Sequence, residues 1–208
     1  MLYDGRSDFP EYLGRSTELL VDELDRFESL LADLLEISRY DAGMAELSAE
    51  SIDIRSCVHA SISAAASLAD QFDIQIVTIL PEHPMVAEID NRRVDRILRN
   101  LINNAIDAIG DQPGRIVITS ACTANQACLN VSDSGQGVAA DVLPKVFDPF
   151  FTTKACDQGT GLGLSICYGI VHDHGGQISI ENGPGGGAEV RITLPLDHQL
   201  AAEPPAAE

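Results

Sequence analysis

NRRVDRILRNLINNAIDAI, residues 91–109, shows two stripes when wound as a helix at about 100° per residue. Val94, Leu98, Leu101 and Ala105 fall on one face and mark it for a core. Arg93, Arg96, Asn100, Asn104 and Asp107 fall on an adjoining stripe. Asn91 is expected to cap the start of this helix, which runs to about Ile109. Asn100 and Asn104 stand at i and i+4, so their amides lie one above the other. Two oxygens at that spacing can meet a hard cation such as Mg²⁺, which prefers oxygen and fills its shell with water and phosphate. A solvated helix face can look the same, so the pair gains weight only from what accompanies it.

Three motifs follow it. Asp133-Ser134-Gly135-Gln136-Gly137 comes directly after an apolar alternating run. Its glycines let a backbone approach a ligand closely, and a carboxylate at a strand end can accept a hydrogen bond from an exocyclic amine such as adenine's. Alone it reads equally as an Asp-Gly turn. Phe147-Asp148-Pro149-Phe150-Phe151-Thr152-Thr153-Lys154 sets three aromatics and a proline beside a flexible loop, the composition of a lid. Lys154 is one of two lysines in the chain, with Lys145, and is placed to meet a terminal phosphate as a point charge. Gly159-Thr160-Gly161-Leu162-Gly163-Leu164-Ser165 opens a helix, where free backbone N–H groups form an anion site. No lysine follows these glycines, which excludes a P-loop, and a polar loop rather than a strand precedes them, which argues against a dinucleotide turn.

The remaining chain reads as follows. A short strand spans 51–54, an Ala-rich helix 55–70, and an alternating strand 73–80 that Pro81 and Pro84 end. Strands 115–121 and 127–133 form an antiparallel pair; 141–146 is a short helix, 147–160 a loop and 162–174 a helix. Strands 177–181 and 188–194 close the domain. Helices over a mixed, mainly antiparallel sheet predict an α+β fold, a two-layer α/β sandwich. Upstream, residues 16–41 read as one long helix with a seam of Leu20, Leu24, Phe27, Leu31 and Leu34, widened by Leu30 and Leu35. Such a helix needs a partner helix, or the surface of its own domain, to cover the stripe.

Composition narrows the function classes. Thirteen Lys+Arg face 32 Asp+Glu, a net charge of −19 over 208 residues, which excludes a nucleic-acid wrapper. Residues 1–50 carry −9, 51–110 carry −3 and 111–208 carry −7. Arg92, Arg93, Arg96 and Arg99 make a local positive patch in the middle block. No run of 18 apolar residues is present, nor a basic segment followed by an apolar one at the N-terminus. Five cysteines without a C-x-x-C pair point to idle reduced thiols in a cytoplasmic protein.

Taken in order, Asn-x-x-x-Asn, DSGQG, FDPFFTTK and GTGLGLS resemble the ATP-binding domain of sensor histidine kinases. That domain shares a fold with the DNA gyrase, heat-shock chaperone and mismatch-repair ATPases. The resemblance covers about residues 50–195. The stretch ELDRFESLLADLLEISRYDAG, residues 23–43, resembles the second helix of the kinases' dimerisation bundle. That helix and the Asn-box region lean toward actinobacterial sensors. The lid and glycine loop lean toward nitrogen-regulation and hybrid kinases.

The resemblance implies ATP and Mg²⁺ as cofactors. It puts Asn100 and Asn104 at the magnesium and triphosphate, and Asp133 at the adenine amine, with Gly135 and Gly137 beside the base. Phe147 belongs to the nucleotide lid, Lys154 lies near the γ-phosphate, and Gly159, Thr160, Gly161, Leu162 and Gly163 run along the phosphates. Position 107 is often basic or amide in the family; here it is Asp107, and Arg93 or Arg96 is the expected source of the missing charge. The related ATPases carry a general-base Glu where Asn100 stands, and an amide cannot take a proton. That favours phosphoryl transfer over hydrolysis. None of His59, His83, His172, His174 and His198 sits in a His-Glu-Leu-Arg-Thr-Pro-like acceptor context. His172 and His174 end a helix, where a structural role is expected.

The implied organisation is a partial dimerisation region without the acceptor histidine at 1–45, an ATP-binding domain at 50–195 and a disordered tail at 196–208. The implied partners are an acceptor-histidine domain in trans, a response regulator and a second copy through helix 16–41. Two alternatives stand beside this one. One is a non-catalytic nucleotide-binding module that regulates a full kinase. The other is an anti-sigma-type serine kinase, which the bundle helix disfavours.

Overall fold

Asp53 ends the first strand and starts the first long helix of the domain. The computed structural model describes residues 47–154 and 159–196 and scattered positions between 17 and 35. Helix α1 is helical at every described position from 17 to 35. Strand β1 (Glu50–Asp53) precedes α2 (Ile54–Gln71). The Asp53 carboxylate accepts from Arg55 N at 3.2 Å and Met85 N at 3.1 Å, and pairs with the Arg55 guanidinium at 2.7 Å. That guanidinium, foremost by its hydrogen bonds, holds the Asp53 carboxyl down to about 2. A folded value below the ordinary 3.8 contributes stability above pH 3.8 that is lost as pH falls toward 2. Asp53→Asn keeps the cap acceptor and removes the charge. We expect it to cost under about 1 kcal/mol at pH 7, since the pair is partly solvated. In urea titrations the gap to the parent should close between pH 4 and pH 2.

Strands β2 (Ile74–Ile79) and β3 (Val86–Ile89) follow, then α3 (Asn91–Ile109), β4 (Gly114–Cys122), β5 (Gln126–Asp133), α4 (Gly163–Asp173), β6 (Gln177–Asn182) and β7 (Ala188–Pro195). One sheet has the order β2-β4-β5-β7-β6, in which only β2 and β4 run parallel; β1 and β3 form a separate antiparallel pair. The row Ile118, Val131, Val190 and Ile180 crosses four strands in register. Helices α2, α3 and α4 pack on that face, as the two-layer α+β expectation requires. Val94, Leu98, Leu101 and Ala105 are buried as their stripe predicts. Gly110, at φ 68°, ends α3.

Three local details differ from the expectation. Asp90, not Asn91, caps α3: it has extended backbone, and Oδ1 accepts from Arg92 N at 3.1 Å and Arg93 N at 3.2 Å. Asn91 is the first helical residue, and its Oδ1 faces the Cys57 thiol. Strand β3 is only four residues after two prolines, too short for alternation to announce it. The helix expected at 141–146 contracts to one 3₁₀ turn, Leu143–Lys145, because Pro144 has no N–H to extend a ladder.

The seam of α1 is exposed: Leu20 by 64%, Leu24 by 59% and Phe27 by 57%, with Leu31 and Leu34 nearly half. Leu30, off the seam, packs half-buried against the core. The ends of the expected helix 16–41 and residues 197–208 of the expected tail lie outside the described residues, while Leu196, its first residue, packs against the core.

Candidate functional site

The C-terminal half of α3, the end of β5 and the segments carrying the three glycine and lid motifs enclose a cleft of about 620 Å³. Its walls divide by chemistry. Leu101, Ala105 and Ala108 of α3 face Val131, Val190 and Ile180 of the sheet row and make an apolar end. Asn100, Asn104, Asp107 and Lys154 make a polar end.

Asp133 reaches the apolar end by strand alternation. Leu129 and Val131 are buried on the helix side of β5, and two residues on the same side comes Asp133. Its Oδ1 accepts from Gly135 N at 2.8 Å and Ala188 N at 3.2 Å. Burial pushes the carboxyl up, against the pull of those two bonds. Oδ2 is therefore the oxygen left for a ligand. Gly135 allows the turn to close: a Cβ there would stand 2.5 Å from Ala108 O. Gly135 supports the wall from behind, whereas Gly137 lines the cleft.

The sequence reading missed Asn182. Its Oδ1 accepts from Val138 N at 2.7 Å and its Nδ2 donates to Val138 O at 2.8 Å. The amide thus acts as an extra strand residue and clamps the loop after β5 to the end of β6. No sequence signal distinguishes it from any Asn before a glycine.

The lid is divided in its roles. Phe151, Thr152, Thr153 and Lys154 line the cleft. Phe147 is not among the lining residues: its ring lies 5.7 Å from that of Tyr168 of α4, tilted by 41°, and buttresses the lid from behind. Phe150 is 63% exposed at φ 66°, a strained conformation for a bulky residue. Gly161, at φ 69°, crosses beneath it; a Cβ there would stand 2.4 Å from the Phe150 carbonyl carbon. Lys154 Nζ donates to Asn104 Oδ1 at 3.2 Å and pairs with Asp107.

Of the glycine loop, Gly159, Thr160, Gly161 and Gly163 line the cleft, while Leu162 is 1% exposed and anchors the loop in the core. Thr160 Oγ1 accepts from Leu162 N, and Asn100 Nδ2 donates to Gly163 O at 3.3 Å. The N-terminus of α4 therefore sits against the Asn pair, where its free N–H groups favour an anion.

Arg93 and Arg96 do not line the cleft. Arg93 pairs with Asp173 at 2.7 Å, at the far end of α4 from the glycine loop. Lys154 is the one Lys or Arg among the described lining residues. Burial pushes the Cys167 thiol up to about 12 and raises that of Cys57, so both are inert structural groups. Buried His174 is structural too: its Nδ1 lies 2.7 Å from Ile170 O, and its Nε2 accepts from Asp90 N.

No group of three His, Cys, Asp or Glu among the described residues could hold a metal by itself. Asn100, Asn104 and Asp107 offer amide and carboxylate oxygens, and no His or Cys is among the described lining residues. That donor set fits magnesium, which retains water and phosphate, and suits a soft metal poorly. No helix among the described residues is long and apolar enough to cross a membrane.

Residues 89–198 match the family model described as histidine kinase-, DNA gyrase B- and HSP90-like ATPase. The chain is 43% identical over 210 residues to the sensor histidine kinase MtrB of Mycolicibacterium paratuberculosis, covering 98% of this chain and 37% of MtrB. It thus spans little more than a third of that relative's length. The catalytic domain of histidine kinase ThkA superposes with a TM-score of 0.68 at 31% identity, covering 74% of this chain and 99% of that domain. ThkA in its complex with the response regulator protein TrrA matches with a TM-score of 0.72 at 27% identity, over 94% of this chain and 55% of that one.

Proposed function

The chain belongs to the histidine kinase-, DNA gyrase B- and HSP90-like ATPase family, and from that premise we propose that residues 50–195 bind magnesium-ATP and transfer its γ-phosphoryl group to a histidine supplied in trans. The observation that carries this reading is the meeting of four separated motifs around one cleft. Asp133 stands at its apolar end. Asn104, Lys154 and the N-terminus of α4 stand at its polar end. A purine fits the first and a polyphosphate the second. Magnesium, held on Asn104 with Asn100 beside it, would supply charge neutralisation at the phosphates.

The rest falls to the chain's own residues. Asp133 Oδ2 accepts from the adenine amine, and Gly137 and the clamped Val138 shape the wall beside the base. Lys154 meets the terminal phosphate as a fixed positive charge. Asn100 ties α3 to α4 through Gly163 and has no basic atom to activate water. The lid shields the phosphates, so a nucleophile must be brought by another helix.

The exposed seam of α1 supports pairing with a helix of like pattern, in a second copy or in the acceptor domain. The ThkA–TrrA complex supports a response regulator as the downstream partner. The exposed seam also suits the second reading, a regulatory module that binds nucleotide without transfer. Incubation of this chain with γ-labelled ATP, magnesium and a separate acceptor-histidine helix pair tests both. We expect acid-labile label on the acceptor and none on this chain alone. Label on this chain by itself would overturn the in-trans reading, and binding without any transfer would favour the module.

A further inference from the structure

Asn104 Oδ1 and Asp107 Oδ2 converge on a single positive charge, the ammonium of Lys154. The two oxygens stand three residues apart on α3, one helical turn, and the ammonium reaches them from the lid across the cleft. Asp107 and Asp133 are the carboxylates among the described lining residues, and of the two Asp107 is the one paired with the lid lysine. Asp107 thus places a negative charge, its side chain half exposed, where the polyphosphate of the proposed nucleotide would lie. A carboxylate in that place repels phosphate unless a cation stands between them.

We propose that Asp107 is a second protein oxygen of the magnesium site beside Asn104, and that Lys154 and magnesium are alternative occupants of this oxygen pair. The proposal rests on the magnesium-nucleotide reading above and adds a role for the residue at 107. Lys154, held on α3, bolts the lid across the cleft. Asn104 and Asp107 would hold the metal, and Lys154, released from their two oxygens, would turn its charge to the terminal phosphate. One single charge is exchanged for a double charge as a polyanion enters, which keeps the acidic cleft neutralised. Lid position and metal loading are thereby linked through one pair of oxygens.

The test is the affinity of the full chain for a fluorescent ATP analogue across a magnesium series with a chelator baseline. The parent is compared with Asp107→Asn and Lys154→Met. In Asp107→Asn the gain in affinity that magnesium brings should shrink about tenfold, while metal-free affinity rises because a repulsive charge is gone. In Lys154→Met half-saturation by magnesium should move to about tenfold lower concentration, because the competing ammonium is gone. An unchanged magnesium gain in Asp107→Asn overturns the proposal. So does an equal loss with and without metal, which would make Asp107 a prop for Lys154 only. An unchanged half-saturation in Lys154→Met overturns the exchange. A folded parent that binds no nucleotide at any magnesium concentration overturns the nucleotide reading and this one with it. A parent that binds while the variants behave like it overturns this one alone.

Discussion

Asn104→Ala is expected to abolish magnesium-dependent nucleotide binding, a loss of at least about 100-fold in affinity. Asn104 is the residue that three parts of the cleft share. Its amide oxygen receives the lid lysine at 3.2 Å, it lies one turn from Asn100, and it lies beside Gly163 at the start of α4. Alanine favours a helix more than asparagine does, and position 104 is only half-buried, so α3 should be kept. The thermal midpoint of the variant should match or exceed the parent's. The measurement is titration with a fluorescent ATP analogue at fixed magnesium, with circular dichroism as the control for folding. Unchanged affinity in a folded variant would sink the placement of the phosphates.

Asp133→Asn should lower nucleotide affinity about 100-fold while making the fold more stable. The side-chain Oδ1 is already committed to Gly135 N and Ala188 N, and an asparagine carbonyl can take both bonds. The amide NH₂ then falls where Oδ2 stood and presents a donor to the donor amine of adenine. One charged hydrogen bond is lost and a repulsion gained. Stability moves the other way because burial holds this carboxyl above its ordinary range. A raised folded value favours folding below the unfolded pKa, and that benefit is lost as pH rises through the folded value. At neutral pH the buried carboxylate therefore costs stability, and the asparagine removes the cost. The unfolding midpoint of Asp133→Asn should exceed the parent's at pH 7, and the two should converge toward pH 3. A variant that binds the nucleotide as the parent does would remove Asp133 from the base site. Asp133→Ala is the poorer experiment, because it strands two backbone N–H groups.

Much of the fold was legible because period and position agree. The α3 stripe of Val94, Leu98, Leu101 and Ala105 is buried as its 3.6-residue period requires. The alternation on β5 carries through to Asp133 and points the carboxylate toward the helices. What escaped was short or competed for locally. Strand β3 had four residues in which to show a pattern. Asp90 took the cap because its extended backbone places a carboxylate over two N–H groups, while Asn91 one residue later had already entered the helix. The motif places Phe147 in the nucleotide lid, and a ring can serve a lid from either side. Packing against Tyr168 decided for the outside.

By itself, the sequence determined which residue types stand where and the order in which they come: an amide pair on a helix, a carboxylate at a strand end, a lone lysine in an aromatic loop, and glycines at a helix start. Those are properties of local period and residue type, and they survive without knowledge of the fold. Only the tertiary structure decided which of them meet. It brought Lys154 across 50 residues of chain onto Asn104, turned Asp107 from an unexplained departure into that lysine's partner, sent Arg93 away to Asp173, and recruited Asn182 from a strand that no motif named. A charge acts through the distance to its neighbours and the solvent between them. Residue spacing along the chain contains neither, so the electrostatics of this cleft became readable only when helix, sheet and lid were set against one another.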